Sequence, residues 1–201
     1  MRNVYTNTDK VIKYLNRVVL REFDRLRLLP MDEVNILRSV KRVYRKTAKI
    51  AKKRYKLLCD DAYIYALFLC GLKRDSKIKA SAMEQRLEAP NPVTKYSFTP
   101  EMERKAVRLA EALEATHMDT AEIDKAVKYW ARQLTQYAID MTDWSMLEAY
   151  KDAGVKEVMW ITVKDGKECQ TCYDRDHQIY KIDEVPDKEH WNCRCTILPV
   201  K

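Results

Sequence analysis

The chain has 201 residues, six cysteines, three histidines and a formal net charge of +8, with 34% of its residues charged and 46% hydrophobic. That length holds one ordinary domain, or a helical part plus a small module, and is enough to bury a core. No apolar run reaches the roughly 20 residues of a membrane span, and the first residues show no apolar signal region, so the expectation is a soluble globular protein in a reducing compartment, where cysteines are not read as disulfides.

The charge is uneven: residues 1–79 hold 21 basic and 8 acidic side chains, and residues 80–201 hold 17 and 22. A basic half is attracted to polyanions, nucleic acid being the commonest, although a solvated lysine-rich helix face has the same composition.

Over residues 6–29 the apolar side chains Val11, Ile12, Leu15, Val18, Val19, Phe23 and Leu26 recur at spacings of three and four, which predicts an amphipathic helix capped by Thr8 or Asp9. Pro30 breaks the pattern, and Asp32 with Glu33 suits the first turn of a second helix running to about Arg54. This second helix has the densest positive charge of the chain: Lys41, Arg42, Arg45, Lys46, Lys49, Lys52, Lys53 and Arg54 are candidates for contact with nucleic acid or an acidic partner. Asp60 and Asp61 read as the cap and first turn of a third, mostly apolar helix ending near Gly71, with Cys59 and Cys70 as small buried thiols.

Residues 88–100 gather three of the six prolines and read as an extended connection or hinge. Thr99 with Pro100 then predicts a helix start, with Glu101 and Glu103 in its first turn. Asp119 or Thr120 begins another helix that should stop at Gly154, its Trp130, Tyr137 and Trp144 at core spacing. Beyond Gly154 the period changes to two. Residues 155–163 alternate, Asp165-Gly166 supplies a hairpin turn, and residues 178–186 and 194–200 read as two more short strands. The expected fold is mainly α with a small C-terminal β-rich zinc-binding module (α+β), divided as a basic helical region 1–87, the hinge 88–100, a helical region 101–154 and the module 155–201.

The module holds the chemistry. Cys169 and Cys172 form a Cys-x2-Cys pair, 17 residues separate Cys172 from His190, and the tail reads His190-x2-Cys193-x-Cys195. Two short-range pairs joined by a loop of this length supply the four tetrahedral corners of a structural zinc ion, and a segment too short for its own core benefits from such a staple. Five candidates compete for four places, the fourth being either His190 or Cys195. Cys195 shares the side of an extended chain with Cys193. His177 reads as surface-exposed, and His117 has no evident role.

Other chemistries compete. A thioredoxin-like pair needs its Cys-x2-Cys at a helix start within a βαβ unit, and neither is visible. Four thiolates could hold iron as in rubredoxin. A metal-dependent nuclease would need an open site and a base drawn from His177 or His190 with Asp174 or Asp176. The three scattered glycines form no phosphate loop.

The last 45 residues or so, from Trp160 through Cys169, Cys172, Asp176, the stretch Ile179–Ile182, and His190, Asn192, Cys193, Arg194 and Cys195, resemble the C-terminal module of the minor head proteins of tailed bacteriophages, the Mu F-like head morphogenesis family. The family usually has Asp-Gly where this chain has Asp176-His177, and prolines where it has "DKEH". The resemblance implies a structural, non-enzymatic virion protein assembled in the bacterial cytoplasm. It would lie inside the capsid near the portal, in contact with portal protein, major capsid or scaffolding protein and packaged DNA, and would act in assembly or DNA ejection. A zinc-containing nucleic-acid-binding protein outside any virion is the alternative, and neither reading involves a membrane.

Overall fold

A computed structural model describes residues 5–28, 36–73, 77–164 and 168–200. Five helices form the body: α1 (Tyr5–Asp24, followed by a 3-10 turn at Arg25–Leu28), α2 (Ile36–Leu69), α3 (Ala80–Glu88), α4 (Phe98–Ala115) and α5 (Thr120–Asp152). The rest is a small module of β1 (Glu157–Ile161), α6 (Gln170–Arg175), β2 (Ile179–Lys181) and β3 (Thr196–Pro199). The mainly α architecture with a small C-terminal sheet is the expected one.

The apolar stripes of α1, α2, α4 and α5 meet in a single core around Trp130, which is fully buried. Its ring packs against Tyr44 and Phe98, and its indole N–H donates to Thr47 Oγ1 at 2.9 Å, so the one polar atom of the largest core side chain is satisfied. Tyr137 is buried beside Phe98, while Trp144 is only half-buried.

Two helix limits differ from expectation. The helix predicted to end near Arg54 and the one predicted to start at Asp61 are one 34-residue helix, α2. No glycine or proline interrupts residues 36–69, and the two aspartates find partners inside the helix surface rather than at a cap: Lys56 Nζ lies 2.5 Å from Asp60, one turn on, and Asn7 donates to Asp61 at 3.2 Å. The end does fall at Gly71, in the left-handed region (φ +77°). Likewise α4 starts after Ser97, not Thr99; the Thr99 N–H and hydroxyl both bond the Glu88 carboxylate at the end of α3, an element the sequence reading missed. Cys59 is buried as expected and Cys70 half-buried. The break around Pro30, with Asp32 and Glu33, lies outside the described residues.

Residues 88–97 are closed by their own hydrogen bonds. The buried Asn91 accepts from the N–H groups of Val93 and Thr94 through its side chain, and Tyr137 donates to Tyr96 O from the core. The helices on both sides of this turn share the one core.

α5 starts where its cap predicts, with the Asp119 carboxylate accepting from Ala121 N–H at 2.9 Å, and the chain turns out of it at Gly154 (φ +74°). Three antiparallel strands follow in the order β2-β1-β3, with Val158 opposite both Tyr180 and Pro199. Val158 and Trp160 of β1 face inward, and Tyr150 of α5 donates to Ile197 O of β3, docking the sheet on that core helix. The Asp165-Gly166 turn lies outside the described residues. Among the described residues the antiparallel neighbours of β1 are β2, which follows α6, and β3.

Candidate metal centre and basic helix

All five predicted donors converge at one end of the sheet. Cys169 is the cap residue of α6 and Cys172 lies one turn on, so both sulfurs face the same side. His190 leads into a knuckle at Asn192, whose positive φ of 59° suits asparagine, and Cys193 and Cys195 follow on the extended approach to β3, two residues apart and so on one face. Two groups of donor atoms form, each with all members within 4.8 Å: Cys169, Cys172 and His190, and Cys172, Cys193 and Cys195. Cys172 is common to both. Its sulfur lies 3.0 Å from His190 Nε2 and 3.6 Å from Cys193 Sγ. Tetrahedral zinc would place N and S about 3.5 Å apart and two S atoms about 3.8 Å apart.

The ring of His190 is set for ligation. Nδ1 lies 3.1 Å from Trp191 O, an acceptor only, so in the neutral ring Nδ1 carries the proton and Nε2 keeps its lone pair toward Cys172. Burial pushes the Cys172 thiol up to about 12. The thiol of Cys193 is raised, first by its hydrogen bond to Cys195 and then by burial, and that of Cys195 is lowered, first by the same bond. A cation among these sulfurs would favour their thiolate forms, so donor set and geometry both fit a metal ion.

The surroundings hold these donors in place. Thr162, just past β1, donates its hydroxyl to Cys172 O at 2.6 Å and lies 3.7 Å from Cys195 Sγ. Asp176 accepts from Thr162 N–H at 2.9 Å, a bond that holds its carboxyl below the usual range and ties the end of α6 to β1. Next to it His177 is exposed and stands in the left-handed region (φ +64°), so the tight turn after Asp176 is built here with histidine. His177 Nδ1 reaches Asp176 at 3.1 Å, and Asp174 accepts from Gln170. A cleft of about 660 Å³ between α1 and the module reaches Cys172, His190 and Cys193.

One expectation is corrected: the Cys-x2-Cys pair does stand at a helix start. The sheet it belongs to is antiparallel, so the βαβ unit of a thioredoxin-like pair is not formed by the described residues. Thr162 was missed, because no local pattern marks a threonine whose partner is ten residues away in chain and adjacent only in the fold.

A family model described as phage Mu protein F like protein matches residues 78–198, more than half of the chain. The chain belongs to the phage Mu F-like family. This places it in phage head morphogenesis, among structural head proteins that are generally non-enzymatic and that associate with other head components. The match covers the whole Cys/His cluster and begins just before α3, leaving α1 and α2 outside it. No curated protein and no solved structure matches. Among the described residues of this Mu F-like chain no helix is long and apolar enough to cross a membrane.

On α2 the fold divides the eight basic candidates. Arg45 pairs with Glu103 at 2.9 Å, Lys46 with the buried Glu22 at 2.9 Å and Lys52 with Glu88 at 3.2 Å, while Arg54 stacks on Tyr14 at 4.3 Å. Burial pushes the Glu22 carboxyl up, and Lys46, Arg25 and Arg21 outweigh it, so the group ends below its ordinary range. Arg42, Lys49 and Lys53, all exposed, and the half-buried Lys41 make no ion pair or ring contact among the described residues. Spacings of seven and four put Arg42, Lys49 and Lys53 on one face, a stripe about 16 Å long.

Proposed function

We propose that this Mu F-like chain is a minor head protein acting in procapsid assembly and in DNA packaging or ejection near the portal, with a structural zinc ion in its C-terminal module. The observation that carries the reading is the coincidence of the family match with a largely buried Cys/His cluster whose histidine sets Nδ1 against a backbone carbonyl and Nε2 toward Cys172. Zinc is favoured over iron because the cluster mixes imidazole with thiolates, a borderline donor set. Cys169, Cys172 and Cys193 would hold the ion with His190 as the fourth ligand, Cys195 being the other contender. When bound, zinc supplies no reaction here; it neutralises the thiolates and joins the Cys-x2-Cys helix to the chain entering β3.

The stripe of Arg42, Lys49 and Lys53 would meet packaged DNA or an acidic portal surface, inside the capsid. The same stripe supports a second reading, a zinc-containing nucleic-acid-binding protein outside the virion.

The test is elemental analysis and native mass spectrometry of the full chain, alone and mixed with the portal protein of the same phage. One zinc per chain and a portal complex stable in high salt support the first reading. Zinc with salt-sensitive DNA binding and no portal complex supports the second, and no bound metal removes the zinc from both.

A further inference from the structure

We propose that Tyr5 of α1 and Lys188, in the loop that presents His190, Cys193 and Cys195, are positioning residues for the metal cluster, holding that loop against α1 and α5. This rests on the reading of the cluster as a metal site.

The ammonium of Lys188 has three donors and the fold gives each a partner: Asp143 Oδ2 at 2.7 Å, Tyr5 Oη at 2.5 Å and Cys193 O at 3.2 Å. Tyr5, fully buried, places its hydroxyl 2.5 Å from Asp143 and 2.9 Å from Cys195 O. The single hydroxyl hydrogen of Tyr5 is shared between Asp143 and the Cys195 carbonyl, and Lys188 donates to the Cys193 carbonyl, so one polar knot grips the backbone of two sulfur donors. In an extended segment the peptide planes decide on which side the alternate side chains emerge, so fixing the carbonyls of Cys193 and Cys195 fixes the side of their sulfurs. Arg194, between them, emerges on the other side and pairs with Asp9 of α1.

The grip comes from a distant part of the chain. Tyr5 is 190 residues from Cys195 and outside the family match, whereas Asp143 is on α5. α1 is itself pinned at this level by the buried Thr8–Thr142 hydroxyl contact of 2.9 Å. Metal affinity in this protein should thus depend on a helix that contributes no ligand, as outer partners of metal ligands commonly change affinity by about 10- to 100-fold.

The experiment compares the full-length wild type with Tyr5→Phe, Lys188→Met, Lys188→Arg and, as a control, Tyr55→Phe. The control removes a buried tyrosine-to-carbonyl bond of the same kind, Tyr55 to Leu134 O at 2.7 Å, inside the helical core. Cobalt(II) serves as the probe by its visible spectrum, and zinc affinity is read by competition with a chromophoric chelator. Tyr5→Phe and Lys188→Met should weaken metal binding by about 10-fold or more and alter the cobalt spectrum. Lys188→Arg should recover part of the loss, and Tyr55→Phe should lower the melting temperature while leaving affinity within about twofold of wild type. Wild-type affinity and spectrum in Tyr5→Phe, or an equal loss in Tyr55→Phe, would overturn the proposal. A wild type that binds no cobalt would overturn the metal reading itself, and the proposal with it.

Discussion

Replacing Cys172 by serine removes the one sulfur common to both donor groups while changing side-chain volume little. A structural zinc ion contributes about 10–16 kcal/mol of apparent binding energy, so one ligand of four carries about 3–4 kcal/mol, or roughly 100- to 1,000-fold in affinity. With free zinc at about 1,000 times the wild-type dissociation constant, binding stabilises the fold by about 4 kcal/mol. For a chain of this size each kcal/mol moves the melting temperature by about 2–4 °C. Chelation should therefore lower the wild-type melting temperature by about 8–16 °C. At the same zinc level Cys172→Ser retains only about 0.4–1.4 kcal/mol of metal stabilisation, so its chelator-dependent shift should be no more than about 6 °C. Cys70→Ser, outside the cluster, should keep the full shift. Because α1, α2, α4 and α5 pack on one another around Trp130, Cys172→Ser should keep its helical circular dichroism. Differential scanning fluorimetry with and without chelator, with zinc counted by elemental analysis, makes the measurement. A Cys172→Ser protein that binds zinc stoichiometrically and responds to chelator like the wild type would refute the assignment.

Thr47→Val leaves the buried Trp130 N–H without its acceptor and should cost about 1–3 kcal/mol in urea unfolding; a loss well below that range would mean the indole finds another partner. Burial raises the Asp140 carboxyl from 3.8 to about 6, against the Arg86 guanidinium that grips it through both oxygens. The folded state therefore holds this proton more tightly than the unfolded chain. Its stability contribution is complete below about pH 4 and is lost as pH rises through about 6, so wild type should lose stability relative to Asp140→Asn over that interval, and a flat difference in urea midpoints would contradict the assignment. His177→Gly relieves a left-handed residue and should raise stability by about 0.5–1 kcal/mol; a fall would show that the His177–Asp176 contact matters more than the backbone. Charge reversal of Arg42, Lys49 and Lys53 together should abolish salt-sensitive binding to duplex DNA without lowering the melting temperature, whereas Lys46→Glu should destabilise the fold, because it leaves the buried Glu22 facing a like charge.

Where a signal is local, the chain declares it. The span of α5 follows from the Asp119 carboxylate at one end and Gly154 at the other, and the period-two segments after Gly154 became β1, β2 and β3 in their expected places. Local rules misled at Asp60 and Asp61. Two adjacent acids look like a cap, yet nothing there breaks the helical ladder; Lys56, one turn back, pairs with Asp60, and Asn7 of α1 gives Asp61 a partner that only the fold supplies. α3 and α6 are too short for a periodic pattern to stand out, and α4 takes its start from the Glu88 carboxylate, which reaches it across a turn.

The same division holds for the site. Spacing told that Cys169 with Cys172, and His190 with Cys193 and Cys195, are two short-range donor groups joined by a loop short enough to close on one ion, because pairs on a turn and an extended strand cannot diverge far. Composition alone told that the second helix is basic. Tertiary structure decided the rest: that Cys172 is the shared donor, that Tyr5 and Lys188 grip the carbonyls behind Cys193 and Cys195, and that Arg42, Lys49 and Lys53 keep an outward charge while Arg45, Lys46 and Lys52 spend theirs on acids of other helices. Those outcomes depend on which groups meet across tens of residues of chain, and hydrogen bonds and ion pairs act over a few ångströms only, so packing had to bring the partners together before any of them could be read.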